Sequence, residues 1–218
     1  MAEKPKKSMP KQTDGKSLFS IMRRRTITTD LVQGIIVGAV LAFITANLLI
    51  NAEVNAMQTT VNGWSTTLKY GAFGNDILLR AACAKHLPAA NLPEEAVYWT
   101  TSTDSTGRTL NGQHDYILHF PVGGLPPNDA FWSLTMTDSQ RRMVNNSINR
   151  YSVGDRSNLV PNADGSIDIY MQNTAPTGHE SNWLPAPTGD FMLWLRVYQP
   201  GTAILNGEYH VPPVVEVK

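Results

Sequence analysis

The chain has 218 residues with 18 Lys and Arg against 18 Asp and Glu, so its formal charge is zero. The balance is uneven: Met1 to Arg25 holds eight basic and two acidic residues, a net of +6, and the remainder therefore carries −6. After Ile50 there are ten Lys and Arg against fifteen Asp and Glu, which argues against nucleic acid as a partner of that part, because a phosphate backbone attracts the opposite sign.

Residues 1–30 are expected to form a basic, disordered cytoplasmic tail, since the segment is polar, bears Lys and Pro, and is poor in apolar residues. Thr28, Thr29 and Asp30 offer N-cap oxygens where a helix begins. Residues 31–50 then run for 20 positions without an ionisable side chain. At about 1.5 Å per residue such a helix crosses the roughly 30 Å hydrocarbon core, so a single transmembrane helix is expected here. Every flanking Lys and Arg precedes it, which by the positive-inside rule leaves the N-terminus in the cytoplasm and the C-terminal domain extracytoplasmic, in the periplasm or at the cell surface. Val54-Asn55-Ala56 also has the small-residue spacing of a signal-peptidase site, but the apolar run is longer than a usual signal-peptide core. Gly34, Gly38, Ala42 and Ala46 recur every fourth residue. That stripe of small side chains lets a second helix approach closely, as a homo-oligomer or with another membrane span.

Residues 51–62 read as a linker and 63–218 as one exported domain, long enough to bury a core. Asn75 to His86 has helical spacing and stops before Pro88. Cys83, the single cysteine, has no intrachain partner and sits in an apolar stretch as a small buried residue. Beyond it the chain becomes short alternating segments between Gly, Pro, Asn and Asp clusters, the mark of an antiparallel β domain. Strands are expected over Ala96–Thr103, His114–Phe120, Ala130–Met136, Ile167–Gln172 and Phe191–Gln199. The third places Ala130, Trp132, Leu134 and Met136 on one face. The fold class is therefore mainly β, an antiparallel sandwich or jelly roll with one short helix, behind a transmembrane helix.

Four motifs stand out: Leu125-Pro126-Pro127-Asn128-Asp129-Ala130-Phe131-Trp132-Ser133-Leu134-Thr135, Asn149-Arg150-Tyr151-Ser152-Val153-Gly154-Asp155-Arg156, Asn162-Ala163-Asp164-Gly165-Ser166 and Asn182-Trp183-Leu184-Pro185-Ala186-Pro187. With these, roughly Gly63 to Val214 resembles the family of the domain of unknown function numbered 1214. The resemblance implies a β-sandwich-like exported domain and no established activity. It also implies a companion, the domain of unknown function numbered 1254, carried on a separate chain.

No nucleophile elbow, phosphate-binding glycine loop or cysteine pair is present, so the residues call for no cofactor and no metal. His179-Glu180 opens a zincin-like motif, but Trp183 stands where its second His belongs. Asn162 to Asp168 has carboxylates at a spacing like that of a calcium loop but lacks the closing Glu, and a tight hairpin explains it with less. Arg150, Tyr151, Asp155 and Arg156 cluster around Gly154 as a candidate ligand loop, with Arg as the donor fork and Asp155 as a candidate acid or base. The competing reading is an Arg–Asp pair that pins the loop. Asn182 and Trp183 form a second candidate wall, where an exposed indole stacks on a sugar or apolar ligand or, alternatively, plugs the end of the sandwich. Two functions follow. One is a non-catalytic, membrane-anchored envelope module that binds a partner protein or envelope ligand. The other is an exported hydrolase or lyase acting on a glycan or lipid, drawing on Asp138, Asp155, Asp168 or Asp190.

Overall fold

The computed structural model describes the backbone of residues 16–217 and the side chains of residues 27–217. It contains one long helix, two β-sheets and a few short helices. The chain divides into two compact units, the first ending at Leu49 and the second beginning at Ile50.

The first unit is formed by most of α1 (Lys16–Met57). Within α1, Ile27–Met57 is long and apolar enough to cross a membrane. From Ile27 to Leu49 its large apolar side chains, Leu31, Ile35, Ile36, Leu41 and Phe43 among them, are all exposed. In water that surface would cost roughly 1.5–3 kcal/mol per side chain relative to burial, which is the physical reason to look for a lipid surround. Residues 1–15 of the expected disordered tail lie outside the described residues. The remainder of that expectation is corrected: from Lys16 the chain is helical, with no Gly or Pro before Gly34 to interrupt it. Thr28 to Asp30 accordingly lie inside the helix and do not cap it. Gly34 and Gly38 lie on this helix with open space where a side chain would be, and Ala42 and Ala46 continue the stripe.

The expected linker over 51–62 is also replaced by regular structure. α1 continues to Met57 because Ile50, Val54 and Met57, at i, i+4 and i+7, pack with Tyr70, Leu79, Ala82, Cys83 and Tyr98. A short hairpin follows, β1 (Thr59–Val61) and β2 (Trp64–Thr66), with Val61 opposite Trp64. Its two-residue loop is Asn62-Gly63, at φ 54° and 81°. Both residues are left-handed, the condition that a type I′ hairpin turn meets with Asn-Gly.

α2 (Ile77–His86) begins at Asp76, whose Oδ1 accepts the Leu79 amide proton at 2.9 Å. The strands then run β3 (Ala96–Thr101), β4 (Asp115–Phe120), β5 (Asn128–Asp138), β6 (Ser152–Gly154), β7 (Ile167–Gln172), β8 (Trp183–Pro185), β9 (Phe191–Pro200) and β10 (Val214–Val217), with the four-residue α3 (Thr202–Leu205) before the last. One sheet has the order β1-β2-β3-β9-β5-β6 and the other β10-β4-β7-β8. All pairings are antiparallel except β7 with β8, which is parallel.

Alternation along the strands explains the core. Trp132, Leu134 and Met136 of β5 and Leu193, Leu195 and Val197 of β9 share one cluster with Tyr116, Leu118 and Phe120 of β4 and Ile169 and Met171 of β7. Each sheet thus contributes one apolar face to a common core. The larger sheet's other face is covered in part by α2 and the end of α1, so all of Ala96, Val97, Tyr98 and Trp99 are buried. Cys83 is buried in this second cluster, as expected.

Candidate functional site

The structure separates the candidate loop residues. Arg150 Nη1 donates to the carbonyl oxygens of Glu180 at 2.6 Å and Trp183 at 2.9 Å. Its fork closes on the 3-10 turn Glu180–Asn182 and the start of β8. Asp155 faces another way: its Oδ2 accepts the Trp132 amide proton at 3.3 Å. The expected Arg–Asp pair is therefore not formed by Arg150 and Asp155. Tyr151 is half-buried and its hydroxyl reaches only Asn149 Oδ1, at 3.5 Å. Arg156 is exposed, with its guanidinium 4.2 Å from the centre of the Phe131 ring.

Of the two readings of the second wall, the exposed one is not met: Trp183 is buried, and its Nε1 donates to the Gln172 carbonyl at 2.8 Å. Asn182 is buried as well. Its amide nitrogen donates to the carbonyls of Val160 and Asp168, and its oxygen accepts from the Val160 amide. The pair satisfies backbone groups where an irregular segment meets β7, a structural task that burial makes obligatory.

The carboxylates considered for hydrolysis are held by separate partners. Asp138 takes the Arg142 side chain, Asp168 takes His119 and Asn162, and Asp190 takes Asn111. His119 and Asp168 form a 2.6 Å pair across β4 and β7, on an exposed side of the sheet. The Asn162–Asp168 segment is a turn: the Gly165 amide reaches the Asn162 carbonyl at 2.9 Å, and Asp164 Oδ1 accepts from the Ser166 amide and hydroxyl. These bonds hold the Asp164 carboxyl below the usual range, the Ser166 hydroxyl first. Among the described residues no group of three or more His, Cys, Asp and Glu is placed to hold a metal ion.

An apolar recess lies elsewhere. A cavity of about 210 Å³ opens between the β1–β2 hairpin, β3 and the segment joining α3 to β10. Its walls include Trp64, Leu68, Val97, Trp99, Ile204 and Tyr209, with Thr59, Thr66, Thr67 and His210 as polar groups. The walls are fixed from both sides. Trp64 Nε1 donates to the Pro212 carbonyl at 2.8 Å and Asn62 Nδ2 to the Val211 carbonyl at 3.0 Å. Trp99 and Tyr209 meet edge to face, with centroids 6.1 Å apart. Burial raises the Tyr209 hydroxyl pKa, and that hydroxyl donates to the Gly124 carbonyl, so it acts as a neutral brace. Reasoning from the sequence did not reach this cavity. The available signal was Asn62-Gly63, a hairpin turn pair that folds Trp64 back instead of leaving it after a linker.

Fold and cavity together define a mainly β domain with a small apolar recess, carried on a chain whose N-terminal helix is of spanning length. Residues 95–202 match the model of the family described as protein of unknown function (DUF1214). A solved structure, that of the VPA0106 protein from Vibrio parahaemolyticus, is 34% identical with a TM-score of 0.56 over 65% of this chain and 35% of that one. An uncharacterized protein from Burkholderia cenocepacia is 16% identical, with a TM-score of 0.43 over 60% of this chain and 31% of that one. This chain thus covers about a third of the length of each of these two solved proteins. No curated protein matches the sequence.

Proposed function

We propose that the protein is a non-catalytic, membrane-anchored module whose β domain, a sandwich of the two sheets, lies outside the cytoplasm and holds an apolar group of an envelope ligand. The observation that carries this reading is the cavity lined by Trp64, Trp99 and Tyr209. Its volume of about 210 Å³ suits one aromatic ring or a short acyl segment. Burying about 150 Å² of apolar surface there is worth about 4 kcal/mol, close to a millimolar affinity by itself. The cavity therefore fits one group of a larger ligand, the rest of which supplies further contacts. The N-terminal basic residues and the apolar helix support an anchor with its N-terminus in the cytoplasm.

The test uses the full chain purified from its own membranes in a neutral detergent. Organic extracts are compared by mass spectrometry between the native protein and Leu68→Trp, which fills the cavity from one of its walls. A compound retained by the native protein and lost from the variant, with the melting temperature unchanged, is the expected result. Identical extracts would overturn the proposal. A reporter fused after Lys218 and read on each side of the membrane checks the orientation separately.

A further inference from the structure

Away from that cavity, the larger sheet carries arginines and aromatic rings together on the face opposite its core. Register fixes the arrangement: Phe131 lies opposite Tyr198, Ser133 opposite Arg196 and Thr135 opposite Trp194, with Ser133 also opposite Gly154 and Thr135 opposite Ser152. Residues at these alternate positions share one face. The Arg156 guanidinium stacks on Phe131, and Phe131 stacks on Tyr198 at 4.4 Å with 19° between the planes. Arg196 is braced differently. Its Nη1 donates to Thr135 Oγ1 at 2.8 Å and its Cζ lies 5.8 Å from the Trp194 ring.

Stacking holds a guanidinium by its flat face and leaves its N–H edge available for an acceptor. Neither Arg156 nor Arg196 is paired with a carboxylate among the described residues. Asp155, the nearest acid in sequence, is turned onto the Trp132 amide. Beside Arg156 the sheet has a recess of about 200 Å³, to which Ser133, Ser152 and Ser157 contribute. Gly154 makes the recess possible. A Cβ there would sit 2.2 Å from the Trp132 carbonyl oxygen, so only glycine lets β6 approach β5 this closely.

We propose that this recess binds a tetrahedral oxyanion of the phosphate class, with the Arg156 edge as the principal donor, serine hydroxyls as the surrounding donors, and Arg196 adding positive potential from the neighbouring strand. Guanidinium forks match phosphate oxygens in geometry, and charge-assisted bonds to them are about twice as strong as neutral ones. A tetrahedral anion uses several donors at once, which a cluster of hydroxyls beside a guanidinium supplies. Apolar ligands suit the recess poorly, because the serines and the charge would be desolvated without partners. The inference is independent of the apolar cavity and of what that cavity holds.

The experiment is a calorimetric titration of the full chain in neutral detergent with inorganic phosphate. A parallel arm adds micelles doped with phosphatidic acid or, as a comparison, phosphatidylcholine. Saturable phosphate binding that Arg156→Gln weakens at least tenfold is the expected result, while Arg108→Gln, in the loop between β3 and β4, leaves it unchanged. Binding to phosphatidic acid alone identifies a lipid headgroup as the source, and binding to inorganic phosphate identifies a free or soluble phosphate group. If Arg156→Gln does not fold, Ser152→Val, which blocks the recess from an edge strand, decides instead. Absence of saturation in both arms, or equal affinity in the variant and the native protein, would overturn the proposal.

Discussion

Arg150 Nη1 ends 2.9 Å from the carbonyl oxygen of Trp183, a residue 33 positions further along the chain. With the bond to the Glu180 carbonyl, this makes Arg150 a clamp between the segment before β6 and the start of β8. Asp155, five residues away in the same motif, makes only a single long bond from an exposed position. Arg150→Ala should therefore lower stability by about 2 kcal/mol, in the range for hydrogen bonds to charged groups, and Asp155→Ala by about 0.5 kcal/mol. Urea unfolding of the two variants measures both. Equal losses would contradict the division of roles.

Asn182 offers a sharper test. Its side chain satisfies two carbonyls and one amide from a buried position. Asn182→Ala strands all three and should cost about 3 kcal/mol. Asn182→Asp keeps the shape but places oxygen against oxygen at Val160 and Asp168, so it should be no better tolerated. Native stability in the Asn182→Asp variant would show that the amide donors matter little.

Acid stability should depend on Asp104. Its side chain is buried, and burial alone would raise its pKa. The Thr106 hydroxyl, the Thr106 and Arg108 amides, and then the Arg108 guanidinium outweigh that and hold the carboxyl below its ordinary 3.8. A depressed folded pKa contributes stability above the unfolded value, and the contribution disappears as pH falls through the folded one. Asp104→Asn should thus be less stable near neutral pH by about 2 kcal/mol, with the gap closing below the folded pKa. Thermal melts across that range would show it.

His86 gives a second window with a different cause. Burial first, and then the nearby Arg141 guanidinium, hold its pKa below the ordinary 6.5. Gln58 Nε2 lies 2.9 Å from His86 Nε2, a contact that a neutral ring accepts. Between its folded pKa and 6.5 the unfolded chain binds the extra proton, so stability falls as the pH is lowered through that interval. His86→Gln should flatten the fall in melting temperature from about pH 7 to about pH 5 relative to the native protein. An unchanged slope would remove His86 as the cause.

The longer strands were legible because each buries one face and leaves the other less covered. β5 and β9 show this directly, with Trp132, Leu134, Leu195 and Val197 inward at a period of two. The helix before Pro88 was legible for a similar reason, with Asp76 as its N-cap. Short strands were not. β1, β2, β6 and β8 span three residues each, too few for a periodic pattern, and β8 is recruited by a parallel pairing with β7 that no local sequence announces.

Composition and short-range periodicity are local properties, so an apolar helix of spanning length, a mainly β domain after it and the family resemblance can all be read along the chain. What each candidate side chain does depends on contacts that only folding makes. Arg150 and Arg156 stand six residues apart with the same guanidinium chemistry. One meets the carbonyls of Glu180 and Trp183 and is consumed in holding the chain, while the other meets the ring of Phe131 and keeps its donor edge. The apolar cavity has the same origin, since its walls come from segments as distant as Trp64 and Tyr209. A polar group's role follows from which acceptors the fold brings within hydrogen-bond reach, and those acceptors lie far along the chain.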